Sequence, residues 1–128
     1  MNSIVLDASA LLAVLNSESG AERLTPELLS SAVSSTVNLA EVQGKLVARG
    51  LPPRDAWEAT LSPIREAKAF TPEHAKTAGD LIARTRSLGL SLGDRACVAL
   101  ALALGAPVYT CNKSWKKLNL GLRIHIIR

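Results

Sequence analysis

The amino-acid sequence predicts an α/β fold in which a central, mostly parallel sheet is flanked by helices on both faces, giving three layers. Short apolar runs alternate with longer helix-like segments, which is the pattern of parallel strands joined by helical crossovers. No internal repeat or linker interrupts this alternation. The chain of 128 residues has the length of one domain, residues 1–128, and can bury a core without disulfides or structural metals.

The first half of the chain begins with the apolar run Ile4–Leu6, which predicts a short buried strand. Residues 9–16 follow as a helix-like segment, and residues 32–36 predict the second strand. The next helix is expected over 38–49. It ends at Gly50, because glycine is favoured just after a helix C-terminus.

The second half of the chain continues the alternation. Two adjacent prolines introduce a helix over 54–61, and a Thr-Pro pair introduces another over 72–87, since proline suits the first turn of a helix. Residues 68–70 predict a short strand between them. Residues 94–104 are apolar on nearly every side, which indicates a central, buried helix. The last two strands are predicted over 107–110 and 123–127.

Charge is distributed unevenly along the sequence. The chain carries 15 Lys and Arg against 11 Asp and Glu, a net charge of +4. Asp94 is the last acidic residue: the chain up to it has 9 basic and 11 acidic residues, and the remainder has 6 basic residues and no acid. Such a basic segment next to carboxylates predicts an anion-binding surface. An aromatic content of 3% argues against single-strand binding by an array of stacked rings.

The cysteines and the apolar runs predict the compartment. Cys97 and Cys111 form no CxxC pair and no zinc pattern, so we expect reduced thiols in a cytoplasmic protein. The longest apolar stretch, 96–104, is far too short to span a membrane, and the N-terminus lacks the charged start of a signal peptide.

Four polar residues follow strands or begin helices, and these are the candidate catalytic residues. Asp7 follows the first strand, Glu41 lies in the first turn of the helix after the second strand, Asp94 begins the buried helix, and Asn112 follows the strand over 107–110. The carboxyl ends of parallel strands share one edge of the sheet, which is where sites form in open α/β sheets. Three carboxylates gathered there would bind a hard divalent cation such as Mg²⁺ or Mn²⁺.

Helix capping is the alternative explanation for the same residues. Asp7 and Asn112 are ordinary N-cap residues, and the pairs Asn38/Glu41 and Ser91/Asp94 have the spacing of capping boxes. Capping accounts for each residue singly, but it does not require the four to converge.

Four segments carry a resemblance to a known family: 5–13 (VLDASALLA), 37–42 (VNLAEV), 89–97 (GLSLGDRAC) and 108–115 (VYTCNKSW). In this order they resemble the motifs of the PIN domain and, more narrowly, of the VapC toxins of bacterial toxin–antitoxin pairs. The resemblance implies a PIN-like fold and a metal-dependent endoribonuclease. It also implies that Asp7, Glu41 and Asp94 surround Mg²⁺ or Mn²⁺. The family usually has a fourth acid where this chain has Asn112, a change that removes one negative charge from the expected site.

Further residues are candidates for binding the RNA substrate. Ser9 and Thr110 carry hydroxyl groups beside the expected site, and Arg95 follows Asp94 directly. Capping and turn stabilisation are the alternative for the two hydroxyls. The basic residues after Asn112 suit the RNA backbone, where phosphate contacts give affinity and salt dependence. They are Lys113, Lys116 and Lys117. Trp115, between them, is expected to pack in the core.

The resemblance also implies partners, namely a small VapB-like antitoxin and a second copy of the chain in a homodimer. Apolar residues of the first helices would supply such surfaces, with core packing as the alternative. These residues are Leu11, Leu12, Leu15, Leu28 and Leu29.

Two other functions fit part of this pattern. A catalytically weakened PIN-like module that binds RNA or a partner is suggested by Asn112. A phosphatase of the haloacid-dehalogenase type would also place an acid after the first strand, but it requires a second acid where this chain has Ser9.

Overall fold

The computed structural model describes residues 2–128 and contains one sheet of five parallel strands in the order β3-β2-β1-β4-β5. The strands are β1 (Ile4–Leu6), β2 (Ala32–Ser35), β3 (Glu66–Lys68), β4 (Val108–Thr110) and β5 (Ile124–Ile126). Seven α-helices occur among these residues: α1 (Ala8–Leu15), α2 (Pro26–Leu29), α3 (Thr36–Ala48), α4 (Pro53–Leu61), α5 (Pro72–Asp80), α6 (Ile82–Thr85) and α7 (Leu92–Leu104). The predicted α/β fold with a mostly parallel sheet is therefore confirmed, and the sheet is parallel throughout.

The strand order places a switch point between β1 and β4. Val5 of β1 pairs with Val33 on one side and with Val108 on the other. The chain runs outward from β1 through β2 to β3, and then returns to the other side of β1 to form β4 and β5. At such a reversal the connections leave in opposite directions, which opens a crevice beyond the carboxyl ends of the two strands.

Successive residues of β1 supply the two apolar layers of the core. Leu6 packs with Leu11 of α1 and Leu39 of α3 on one face. Val5 packs on the other face, in a cluster that includes Val98 of α7 and Trp115. Because strand side chains alternate between faces, each face of the sheet is covered by its own helices, and the result is three layers. Trp115 is 0% exposed, so the expectation that it packs in the core is confirmed.

Several element boundaries differ from those that the sequence predicted. The helix expected over 72–87 is interrupted at Leu81, and it forms α5, α6 and a 3₁₀ turn, Arg86–Leu88. In α6, the carbonyl of Leu81 accepts both from the N–H of Thr85 at 3.0 Å and from Thr85 Oγ1 at 2.9 Å, and such an additional side-chain bond tends to bend a helix. The strand expected over 68–70 lies two residues earlier, where it pairs with β2.

The N-terminus of α3 also differs from the prediction. The helix begins at Thr36 and is capped by Ser35, whose side chain accepts from the N–H of Val37 at 3.2 Å. The predicted capping box of Asn38 and Glu41 is therefore wrong, because both residues lie inside the helix. Among residues 2–128, no helix is both long and apolar enough to cross a membrane.

Candidate active site

The carboxylate of Asp7 lies just beyond the end of β1, where it caps α1. The residue is 3% exposed. Its Oδ1 accepts hydrogen bonds from the N–H of Ala10 at 2.9 Å and from Ser9 Oγ at 2.7 Å. Its Oδ2 accepts from Thr110 Oγ1 at 2.5 Å, which connects β1 to β4. The orientation of Asp7 is thus fixed from both sides of the switch point.

Burial dominates the ionisation of Asp7. It raises the pKa of this carboxyl group, because the charged form loses its contact with water, and the hydrogen bonds from Thr110, Ala10 and Ser9 lower the pKa in opposition. The negative charge of Asp94 raises the pKa of Asp7 further. A buried carboxylate near a second carboxylate favours a cation between them.

Asp94 lies in the first turn of α7 and forms a capping box with Ser91. Its Oδ2 accepts from the N–H of Ser91 at 2.9 Å, and its own N–H donates to Ser91 Oγ at 3.1 Å. This predicted capping box is confirmed. The box uses one carboxylate oxygen, while the residue still lines the cavity described below. Capping and a role in the site are therefore compatible at Asp94.

Glu41 reaches the same place from the first half of α3. Its Oε1 accepts from Asn38 Nδ2 at 3.4 Å, and the same amide nitrogen donates to the carbonyl of Gly93 at 3.0 Å. A Cβ atom on Gly93 would overlap Oε1 of Glu41. The missing side chain at Gly93 thus provides the space that lets α3 present Glu41 beside the start of α7.

The buried thiol of Cys97 lies near all three carboxylates. Burial raises its pKa well above the usual range, and the negative charges of Asp7, Asp94 and Glu41 add to the rise. Because Cys97 lies one turn after Asp94 on α7, the three acids are grouped around the N-terminal half of that helix.

The four candidate catalytic residues share one cavity of about 280 Å³ at the carboxyl edge of the sheet, which we call the carboxylate cavity. It is lined by Asp7, Ala8, Ser9, Leu12, Glu18, Glu41, Lys45, Asp94, Asn112 and Arg128. Glu18, Lys45 and Arg128 were not predicted. Lys45 lies one helical turn after Glu41, a spacing visible in the sequence, whereas tertiary packing alone brings Glu18 and Arg128 to the cavity.

The carboxylate cavity fits a divalent cation in its donor chemistry. Among residues 2–128, no three His, Cys, Asp or Glu side chains are close enough together to bind a metal ion directly. Mg²⁺ usually takes only one or two protein carboxylates and retains several waters. An all-oxygen set with a buried carboxylate suits that kind of site better than a closed cage of protein ligands.

Asn112 is engaged as a cap. Its Oδ1 accepts from the N–H of Ser114 at 3.0 Å and from Ser114 Oγ at 2.7 Å, at the start of the 3₁₀ turn Lys113–Lys117. Asn112 lines the carboxylate cavity, but its amide oxygen faces this turn. The capping alternative accounts for its present hydrogen bonds.

The hydroxyl groups predicted to contact RNA serve Asp7 in the structure. Thr110 is 0% exposed and accepts from the N–H of Asn112 at 3.1 Å, while Ser9 Oγ accepts from the N–H of Cys111 at 2.9 Å. Both residues orient Asp7, and buried Thr110 is not available to a polynucleotide. Arg95 donates to the carbonyl of Ala78 in α5 at 2.8 Å and does not line the carboxylate cavity.

The basic residues after Asn112 divide into two sets. Lys113 and Lys116 line a second cavity, of about 580 Å³, along β5. Lys117 is exposed and does not line either of these two cavities.

The leucines predicted to form partner surfaces also fall into two groups. Leu11 and Leu12 are buried in the core, and the remaining three are partly buried and pack against it. Those three are Leu15, Leu28 and Leu29.

Comparison with known proteins identifies relatives of the whole fold. The family model of the PIN domain matches residues 4–120. A DNA-bound VapBC from Salmonella typhimurium has a TM-score of 0.77 and 19% identity, covering 100% of both chains. VapBC2 from Rickettsia felis, bound to a promoter DNA fragment, has a TM-score of 0.73 and 21% identity, covering 98% of both chains.

A third structure is a toxin that cleaves the sarcin–ricin loop, VapC20 from Mycobacterium tuberculosis. It has a TM-score of 0.72 and 20% identity, covering 94% of this chain and 99% of the other. No curated protein sequence matches the chain significantly.

Proposed function

Because the chain belongs to the PIN-domain family, whose members are generally nucleases, we propose that it is a metal-dependent endoribonuclease toxin. The observation that carries the proposal is the carboxylate cavity, where Asp7, Glu41 and Asp94 meet beyond the carboxyl ends of β1 and β4. The similarity to VapC toxins supports RNA as the substrate, since one of them cleaves the sarcin–ricin loop.

Asp7, Asp94 and Glu41 would surround Mg²⁺ or Mn²⁺, with one or two of them binding the ion directly and the remainder through its bound water. The ion would supply positive charge next to the scissile phosphate and lower the pKa of a water molecule. Asp7 contributes a fixed carboxylate, because Ser9, Ala10 and Thr110 hold both of its oxygens.

Glu41 is the side chain best suited to orient the attacking water. It is exposed, and within residues 2–128 its side chain has a single hydrogen bond, the long one from Asn38 to Oε1. Its second oxygen, Oε2, is therefore open to accept a proton from water as the phosphodiester is attacked.

The assignment is tested with purified protein and a panel of tRNA and rRNA fragments. We expect cleavage that requires Mg²⁺ or Mn²⁺, is lost with EDTA and is absent from Asp7→Ala. The variant is purified in parallel, so that it also measures contaminating ribonuclease. Equal cleavage by wild type and Asp7→Ala would exclude the proposed function.

A second function is favoured by Asn112, which brings no charge and uses its amide oxygen on Ser114. In this alternative the chain is a weakened PIN-like module that binds RNA or a partner without cutting it. Robust metal-dependent cleavage by wild type would exclude the module. RNA binding without cleavage at any Mg²⁺ or Mn²⁺ concentration would favour it.

We also infer a VapB-like antitoxin and a homodimer as assemblies of the cytoplasmic protein, because the similar structures include VapBC complexes. Co-expression with the small open reading frame next to the gene should yield a co-purifying complex in which cleavage is inhibited. Light scattering of the isolated chain should give twice the monomer mass of 13.5 kDa, or 27 kDa. A monomer would overturn the dimer without affecting the nuclease assignment.

A further inference from the structure

A cavity of about 580 Å³, larger than the carboxylate cavity, lies next to it and has the opposite charge. It runs along β5 and is lined by four cations, Arg23, Lys113, Lys116 and Arg128, without an acidic residue. We call it the basic cleft. Neither Lys113 nor Lys116 forms an ion pair within residues 2–128, so their charges are available to a ligand.

Arg128 connects the two cavities. Its side chain lines both the basic cleft and the carboxylate cavity. Nη1 donates to Glu18 Oε1 at 2.9 Å and to the carbonyl of Ser19 at 3.4 Å. The side chain is 38% exposed, and a guanidinium has five donors, so N–H groups remain for a phosphate at the boundary.

Two stacked aromatic rings line the basic cleft. The rings of Tyr109 and His125 stack with their centroids 4.5 Å apart and their planes 18° from parallel. His125 is exposed, so its ring is accessible to a ligand. Cations beside an exposed ring match a nucleotide strand, whose phosphates and bases need these two kinds of contact.

The edge of β5 argues against a peptide that adds a strand to the sheet as the occupant. Arg123 O and Ile127 N bond to β4, so in a parallel ladder the carbonyl of Ile126 faces the free edge. Arg23 Nη1 already donates to that carbonyl at 3.3 Å. A peptide adding a strand would need this acceptor, and it would meet a guanidinium there.

We propose that the basic cleft binds the backbone of the single RNA strand that is cut, and that Arg128 binds the phosphate where this strand enters the carboxylate cavity. The proposal rests on the proposed nuclease function and adds the route of the substrate. The pair with Glu18 holds Arg128 at the boundary and competes with the phosphate for it. The substrate strand therefore runs along β5, on the β4 side of the switch point.

The test measures the affinity of a short fluorescein-labelled single-stranded RNA by anisotropy, in EDTA so that no cleavage occurs, from low to moderate salt. Each lost phosphate contact should reduce the slope of log affinity against log salt by about 0.7 for a single strand. We expect the slope to fall by about 0.7 in Arg128→Gln. In the double variant Lys113→Gln/Lys116→Gln it should fall by about 1.4, because two phosphate contacts are lost.

The chain offers a matched control for the Glu18–Arg128 pair. Arg54 and Glu58 form an exposed ion pair on α4, and neither residue lines the basic cleft or the carboxylate cavity. Glu18→Gln should raise RNA affinity by releasing Arg128, while Arg54→Gln and Glu58→Gln should leave affinity and slope unchanged.

Three outcomes overturn the proposal. One is an unchanged slope in the Arg128 and lysine variants. A second is equal effects in the α4 controls. The third is displacement of the RNA by poly-glutamate at lower concentration than by unlabelled RNA, which would assign the cleft to an acidic protein. A failure of the proposed nuclease function would be seen in a different measurement, because wild type would then show no metal-dependent cleavage.

Discussion

The contact between Gly93 and Glu41 shows how a residue without a side chain shapes the carboxylate cavity. A Cβ at Gly93 would overlap the end of the Glu41 side chain, not the backbone. The end of a flexible, exposed side chain moves at little cost, so the fold tolerates the change while the carboxylate does not keep its place.

The variant Gly93→Ala should therefore lose activity without losing stability. We expect a fall in kcat of at least about tenfold, since a displaced catalytic group weakens transition-state stabilisation. The melting temperature should stay near that of wild type, because alanine is the better helix former. Single-turnover cleavage and thermal unfolding measure the two effects.

Gly44→Ala is the control for this change. Gly44 lies on α3 with Glu41, and a Cβ there meets no atom within 4 Å. Alanine at this position should stabilise the protein by roughly 1 kcal/mol and leave cleavage unchanged. Full activity in Gly93→Ala would mean that the position of Glu41 does not matter for the reaction.

The missing fourth acid gives a second prediction for a single residue. Asp is as good an N-cap as Asn, so Asn112→Asp should retain the bonds that Oδ1 accepts from Ser114. The added negative charge in the carboxylate cavity should increase affinity for Mg²⁺ or Mn²⁺ and lower the metal concentration at half-maximal cleavage. Asn112→Ser, which caps without charge, is the control. An unchanged metal titration would show that charge at this position has no effect.

At the scale of elements, the capping box of α7 has two tasks. Ser91 Oγ stabilises the helix start by accepting from the N–H of Asp94, and the backbone N–H of Ser91 donates to one oxygen of the Asp94 carboxylate. Ser91→Ala should cost about 1 kcal/mol of stability as a lost N-cap. It should also reduce cleavage, because without the Oγ bond the N-cap residue is less firmly fixed and its N–H holds the Asp94 carboxylate less well. Urea unfolding and the rate of cleavage at saturating metal measure the two effects.

Thr71 provides the matched control, because it caps α5 by accepting from the N–H of His74 at 3.1 Å, outside the carboxylate cavity. Thr71→Ala should lose similar stability and keep full activity. If both variants lose activity equally, the effect of Ser91 is one of stability alone.

The element scale also explains which parts of the site could be predicted from the sequence. Asp7 and Asn112 follow strands, and parallel topology brings strand ends to one edge, so their convergence follows from local patterns. Glu18 and Arg128 lie on a loop and after the last strand, and no period or cap signal relates them. Their pairing depends on how the segment after β5 packs against the loop after α1, which the sequence pattern does not specify.

Helix boundaries are hard to predict where side chains bond back to the helix carbonyls. The Thr85 hydroxyl bonds to the carbonyl of Leu81 in addition to the Thr85 N–H, an arrangement that tends to bend a helix, and the helix expected over 72–87 is divided at Leu81. Helix α2, with four residues, is too short to produce a hydrophobic period. The long, apolar α7 was predicted to within two residues of its start, because the apolar run and its cap agree.

In the whole molecule, the sheet order places the acidic residues and the basic C-terminal segment of the sequence in two adjacent cavities. The three acids lie just after β1, on α3 and on α7, while the acid-free segment after Asp94 supplies three of the four cations of the basic cleft. The switch point between β1 and β4 brings these two parts side by side. A negatively charged cavity bordered by a positively charged cleft results.

This arrangement costs stability when the carboxylate cavity holds no cation. Burial raises the pKa of Asp7, so its ionised form is less favourable in the folded chain than in the unfolded one. The cost is absent below the unfolded pKa of about 3.9, grows as the pH rises towards the folded pKa, and is complete above it. At pH 7, which is above the unfolded pKa, the folded protein therefore carries this cost unless a metal ion offsets it.

Asp7→Asn should accordingly melt at a higher temperature than wild type at pH 7 in EDTA. The amide oxygen can still cap α1 through the N–H of Ala10, and the Thr110 hydroxyl can rotate to accept from the new amide. As the pH falls below about 4, the advantage should disappear, because Asp7 becomes protonated in both states of wild type.

Adding a divalent metal ion should make wild type more stable than Asp7→Asn. An ion at 100 times its Kd stabilises the folded state by about 2.7 kcal/mol, so Mg²⁺ or Mn²⁺ should raise the Tm of wild type but not that of Asp7→Asn. Thermal unfolding with and without metal, repeated across pH, measures both effects. If Asp7→Asn is less stable than wild type in EDTA, the hydrogen bonds to Asp7 outweigh its burial. If metal stabilises both proteins equally, Asp7 is not a ligand.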